Sequence, residues 1–216
     1  MLDTLKQIIY WSLRPAVWLV LRVLPLDDPW KRFVYRVPVR SYGLGAKHDF
    51  GWYFEGESSV KISTLEDLQD WLIACSYVRD PELFHEEDFW QHPTTFERLR
   101  QGDCEDHALW AWRKLVELGY DADLISGRCL PWDPKVAGAD RGHVWVVFRK
   151  DGDAYLFESV AKSRDRMIRP LSDVAVKYRP EFGVDRSRQR FAFNGFLLTW
   201  RDREFGVRNR ESRRSA

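Results

Sequence analysis

The sequence predicts an α+β domain in which a helix that begins at a cysteine packs against an antiparallel sheet. Three observations carry this expectation. Residues 104–118 form an amphipathic run with Cys104, Ala108, Ala111, Trp112, Leu115 and Val116 on one face, an acidic cap at Asp103 and a glycine stop at Gly119. Residues 144–148 are an almost unbroken apolar run, followed by the hairpin dipeptide Asp151-Gly152 and a returning strand over 154–160. Residues 191–200 read as another strand pair or a buried closing segment.

The elements follow in order from the N-terminus. Residues 5–24 are rich in Leu, Ile, Val and Trp, but Lys6, Arg14, Arg22 and Pro15 interrupt them. The uncharged runs fall short of the roughly 18 to 20 residues that span a bilayer. Asp3 and Leu24-Pro25-Leu26-Asp27 also make a poor signal peptide. Two short amphipathic helices are expected, docked on the body of the protein, with a partner or a membrane surface as the alternative contact. Residues 25–48, with Pro25, Pro29, Pro38, Gly43 and Gly45, read as an irregular connector. Residues 50–54, and then Val60 and Ile62, read as short strands about a turn at Glu55-Gly56-Glu57. Ser63-Thr64-Leu65-Glu66 reads as a capping box with Ser63 as the cap. It opens a helix to about residue 77, with Leu65, Leu68, Trp71, Leu72 and Cys75 on its core face. Residues 80–93 read as a solvated loop or a short helix. His85, Glu86, Glu87, Asp88 and His92 match no tight ligand spacing, so no metal and no cofactor is expected. A short helix over 94–100 is broken by Gln101-Gly102 before the long helix. A strand over 122–129 and a Pro- and Gly-rich loop over 130–142 lead to the hairpin. The chain thus divides into an apolar helical arm and connector (1–48), a core domain (49–200) and a basic tail (201–216).

The chain has 216 residues, 44% of them hydrophobic, with 11 Trp, so it can bury a sizeable core. Charged residues make up 31%, yet the net charge is only +1, and that balance does not point to nucleic acid or to an acidic substrate. The tail sets Arg201, Arg203, Arg208, Arg210, Arg213 and Arg214 against Asp202, Glu204 and Glu211, and reads as a solvated terminus. Cys75, Cys104 and Cys129 are an odd set in a chain of this length, so a disulfide framework is not expected; a reducing, cytoplasmic setting is, with peripheral attachment to a membrane or particle as the variant.

Cys104, His143 and Glu158 are the candidate site. A thiol attacks as the thiolate, and the first turn of a helix favours that anion. Asp103, Glu105 and Asp106 oppose it, so a nearby cation is required. His143, at the start of the hairpin, would supply one and then serve as general acid. A symmetric turn at Asp151-Gly152 sets residue 150 opposite 153, which makes His143 and Glu158 diagonal neighbours on one face. Glu158 can then orient the imidazole. Asp153 and Asp165 are the weaker substitutes should a bulge intervene. Each has a bland alternative: a small buried residue for Cys104, a satisfied strand-end histidine for His143, an exposed carboxylate for Glu158. His107 is expected to face solvent.

The residues Trp90-Gln91-His92-Pro93-Thr94-Thr95, Gly102-Asp103-Cys104-Glu105-Asp106-His107-Ala108 and Leu118-Gly119 resemble the transglutaminase-like superfamily, and most of all its bacterial transglutaminase-like cysteine proteinases. The resemblance covers about residues 60–165. It implies a papain-like, transglutaminase-like core with Cys104 as nucleophile, His143 as base and Glu158 as third member, the family's acid usually being Asp. The main-chain N–H of Cys104 is one expected oxyanion donor, and Trp90 and Gln101 are candidates for the second. The expected function is acyl transfer through a thioester on peptide or glutamine amide bonds, with peptidase or amidase favoured over crosslinking and a protein or peptide as substrate. The alternative is an inactive transglutaminase-like scaffold within a larger assembly, which the arm and tail would suit.

Overall fold

The computed structural model describes residues 32–33, 48–129 and 141–193. The expected N-terminal helices, most of the 130–142 loop and the basic tail lie outside these residues. Strands β1 (Arg32–Phe33), β4 (Asp121–Cys129), β5 (Arg141–Lys150), β6 (Asp153–Phe157), β7 (Ile168–Pro170), β8 (Tyr178–Val184) and β9 (Arg190–Phe193) form one sheet in the order β1-β9-β8-β4-β5-β6-β7. Every neighbouring pair in it is antiparallel. Strands β2 (Ser76–Tyr77) and β3 (Gln101–Gly102) pair in parallel as a separate ribbon. The helices are α1 (Leu65–Ile73), α2 (Asp80–Leu83), α3 (Pro93–Leu99), α4 (Cys104–Glu117), α5 (Arg164–Met167) and α6 (Leu171–Val174). The class is α+β. Among the described residues no helix is long and apolar enough to cross a membrane.

Helix α4 is the centre of the molecule. Trp110, Trp112, Ala108, Ala111 and Leu115 are fully buried, and they share one core with Leu124, Val146 and Phe148 of the sheet and Leu68 and Leu72 of α1. Truncating either tryptophan to alanine would cost about 3–5 kcal/mol. The other sheet face buries Ile125, Trp145, Val147, Leu156 and Tyr178 against Val174 of α6. The alternation along β5 therefore sends odd residues to one core and even residues to the other.

The helix is buried on its polar side as well, and this explains an expectation that fails. Residues 50–62 are not strands: Trp52–Phe54 is a 3-10 turn, and Val60 and Ile62 belong to no strand. Arg113 donates to the carbonyls of Glu55 and Gly56, and Lys114 to that of Val60 at 2.8 Å. The acceptors a strand would have used are taken by two buried cations of α4. Glu97, buried beside them, accepts from Ser59 and from the Trp110 indole at 2.9 Å.

Several boundaries shift. The cap of α1 is Thr64, not Ser63, and its partner three residues on is Asp67. That helix ends at Ile73 rather than near residue 77, because Ser76 and Tyr77 pair with β3 while Lys162 donates to the carbonyls of Leu72 and Cys75. Strand β8 was not anticipated; Pro180 and Gly183 hide its pattern. It pairs with β4 through a bulge at Ser126/Gly127, where a Cβ on Gly127 would overlap the Arg179 carbonyl. The hairpin at Asp151-Gly152 has the expected register, Lys150 opposite Asp153, with φ of 54° and 90° at its two turn residues. Cys75, although it lies past the end of α1, is still buried in the core.

Candidate active site

The site is built where β6 stops. The β5–β6 ladder ends at Val146 opposite Phe157, so the first residues of β5 have a free edge. Helix α4 packs on the face of β5 that carries Val144, Val146 and Phe148. The main-chain amide of Val144 lies close enough to the Cys104 sulfur to pull the thiol pKa down against the stronger effects that raise it. Val144 faces the core shared with α4, whereas His143 faces Trp145 on the other side of the sheet, and no hydrogen bond joins the Cys104 thiol to the His143 ring.

The N-terminus of α4 has the expected caps. Asp103 is extended, and its N–H donates to the Asp106 carboxylate at 3.3 Å. Gln91 covers the same carboxylate through its main-chain N–H at 2.9 Å and its side-chain amide at 2.5 Å. Gly102 is required here: a Cβ would overlap both the Asp106 carboxylate and the Gln91 amide. His107 is fully buried, against the expectation that it faces solvent. Its Nδ1–H donates to the Asp103 carbonyl at 2.8 Å, since a carbonyl can only accept, and burial pushes its pKa down to about 4. Neutral His107 therefore ties the second turn of the helix to its cap.

His143 and Glu158 meet. Glu158 lies just past the end of β6, with its N–H donating to the Met167 carbonyl. Its carboxylate accepts from His143 Nε2 at 3.0 and 2.9 Å. Nε2 thus carries the proton, and Nδ1 is the basic atom of the ring. Glu158 is 5% exposed. Burial by itself would raise its pKa, but the His143 charge and the hydrogen bonds from His143, Tyr178 and the Val160 amide prevail and hold it below the usual range. The Tyr178 hydroxyl donates to Glu158 Oε2 at 2.7 Å. The His143 ring stacks near Trp145, 5.9 Å between centroids, and Tyr178 packs on Trp145 at 5.1 Å.

The thiol environment is acidic. Cys104 donates to Glu105 Oε2 at 3.1 Å. Burial, then Glu105 and Asp103, push the thiol well above its ordinary pKa, and the Val144 amide opposes them. Oxygens of Asp80, Asp88 and Glu105, and of Asp80, Asp103 and Asp106, gather within 4.8 Å of one another. These five carboxyls come from two distant segments, so no local spacing in the sequence displays them. Burial pushes Asp80 and Glu105 upward, and Asp106 up to about 8 despite the Gln91 bonds. Asp80 Oδ1 and Asp103 Oδ1 are buried with no hydrogen-bond partner. Carboxylates packed this closely need protons or a cation between them. Each triad offers three oxygens to a cation.

The remaining candidates are placed as follows. The indole N–H of Trp90, a buried residue, donates to Asp88 at 3.0 Å. Gln101 is exposed, and its carbonyl accepts from the Gln91 side chain. Asp153 is exposed at the hairpin and Asp165 is exposed in α5. Cys129, at the end of β4, is partly buried. Tyr178 was missed because β8 was missed, and nothing near it in sequence marks it.

No family model and no curated protein matches this chain. Among solved structures, three of Legionella pneumophila LapG are similar: one titled EGTA-treated, one calcium-bound and one without further description. Each is 18% identical with a TM-score of 0.43, covering 62% of this chain and 69% to 71% of LapG. A likeness this slight carries no argument about chemistry, and the site rests on its own geometry.

Proposed function

We propose that the chain is a thiol-dependent acyl-transfer enzyme with a transglutaminase-like, papain-like core, acting on peptide or glutamine amide bonds. Cys104 is the nucleophile, His143 the base and Glu158 the orienting acid. What supports this reading is that His143 of β5 meets Glu158 at 2.9 Å, with Cys104 opening the helix that packs on the same strand. His143 Nδ1 takes the thiol proton as sulfur bonds to the carbonyl carbon and the π pair moves to oxygen. The Cys104 N–H is one donor to that oxyanion and Gln101 the candidate for another, since the Trp90 indole N–H is given to Asp88. Collapse breaks the C–N bond, and the imidazolium gives its proton to the leaving amine. Water, deprotonated by His143, then attacks the thioester and releases the thiolate, which regains its proton. Water as the acceptor makes this a peptidase or amidase; an amine in its place would make a crosslink.

Asp80, with either Asp88 and Glu105 or Asp103 and Asp106, would hold a divalent cation such as calcium, which would supply positive charge near the thiol. Without such neutralisation the acidic surroundings favour the second reading, a non-catalytic scaffold, because the thiol proton is held toward Glu105. Alkylation with iodoacetamide at pH 6, with and without calcium, separates the two. The enzyme reading expects Cys104 to react faster than Cys75 and Cys129 in at least one of the two conditions. Equal or slower reaction of Cys104 in both would remove its support.

A further inference from the structure

We propose that Tyr178 is a positioning residue for the candidate site: its hydroxyl anchors the Glu158 carboxylate in the orientation that receives His143. This rests on the reading of Cys104, His143 and Glu158 as the reacting set. A glutamate has one more rotatable bond than the aspartate that commonly fills such a role, and a flexible acid orients an imidazole poorly. The structure supplies what the extra bond removes. Oε2 of Glu158 accepts from the Tyr178 hydroxyl at 2.7 Å and from His143 Nε2 at 2.9 Å. Oε1 accepts from the same ring nitrogen at 3.0 Å.

Tyr178 is itself held firmly. It is the first residue of β8, pairs with Cys129 of β4, and is 1% exposed. Its ring lies 5.1 Å from Trp145 and 6.4 Å from His143. The hydroxyl thus enters from a central strand of the sheet, not from a loop. The carboxylate has no option but to accept, so the phenol is the donor and must keep its proton. Burial and Glu158 both raise the Tyr178 pKa, which keeps it a donor over the working range.

Other titratable groups face this pair. His143 of β5 approaches Glu158 directly, and His107 of α4 feels its charge. Cys129 of β4 and Arg169 of β7 lie within electrostatic reach of Tyr178. All four are unchanged when only the phenol oxygen is removed.

The experiment is a 13C titration of the Glu158 carboxyl in the full chain with Cys104→Ala, with and without Tyr178→Phe, which keeps the ring and its packing. Loss of one hydrogen bond to a charged acceptor should move the Glu158 midpoint up by about one unit. In the Cys104 protein the same substitution should lower kcat about tenfold with KM nearly unchanged, since the effect is on orientation and not on substrate contact. Incorporating 3,5-difluorotyrosine at 178 provides a second variant with a stronger donor, and it should move the midpoint down. A midpoint that stays in place in both variants overturns the proposal. A midpoint that shifts as expected in a protein without any turnover upholds the Tyr178–Glu158 anchor and overturns the catalytic reading instead.

Discussion

Glu158→Gln is the perturbation whose size the structure defines best. The side chain keeps its shape, so packing is conserved and only charge and donor pattern change. The carboxylate accepts from Tyr178 at 2.7 Å and from His143 at 2.9 and 3.0 Å, in a nearly dry site. An amide has one acceptor oxygen and a donating NH2, so it can satisfy Tyr178 or His143 but faces the other with a donor. Losing one charge-assisted bond and setting two donors against each other costs about 2–3 kcal/mol. For a chain of this size that is a fall in Tm of about 4–12 °C. The pH dependence has a definite sign. The Glu158 pKa is held below its usual value, so its contribution is present above the unfolded value of about 4.3 and fades as pH falls through the folded value. Thermal melts of both proteins across pH 2.5 to 7 should therefore show a gap that is constant near neutrality and closes in acid, where both side chains are neutral. A gap of equal size at both ends would show that shape, not the carboxylate charge, accounts for the loss. Activity should fall by about 10²-fold or more, because the imidazole loses its orienting anion.

Other outcomes follow from the same geometry. The metal-free protein should lose stability as pH rises from about 4 to about 8, because Asp106 binds its proton more tightly folded than unfolded; calorimetry should show calcium reversing that loss and EGTA restoring it. Asp80→Asn should abolish the calcium-induced rise in Tm while leaving the metal-free protein no less stable, since its buried Oδ1 has no partner to lose. Gly127→Ala should cost about 2–3 kcal/mol in urea denaturation, because the new methyl meets the Arg179 carbonyl across the β4–β8 bulge; a neutral result would show that β8 can shift away.

Local physics wrote much of the fold into the sequence. The hairpin register follows from Asp151-Gly152, since a two-residue turn with left-handed backbone sets which residues face each other. The bounds of α4 follow from Asp103, Asp106 and Gly119, whose capping and left-handed stop act within a single turn. From the hairpin alone, His143 and Glu158 could be placed within reach of each other. The failures have two causes, one long-range and one local. Residues 50–62 have strand composition, but their carbonyls serve Arg113 and Lys114, side chains more than fifty positions away. The cap at Thr64 rather than Ser63 is a one-residue choice between equivalent hydroxyls.

What the chain determined by itself is the set of chemically able residues and the short-range geometry that presents them: a cysteine at a helix start, a histidine and an acid across one tight turn. What only tertiary structure decided is their surroundings. The end of β6 sets Glu158 beside His143, β8 delivers Tyr178 to Glu158, and residues 80–88 return to lay Asp80 and Asp88 against the carboxyls at the start of α4. These contacts join segments far apart in the chain, and their energies come from burial and charge that exist only once the core has closed.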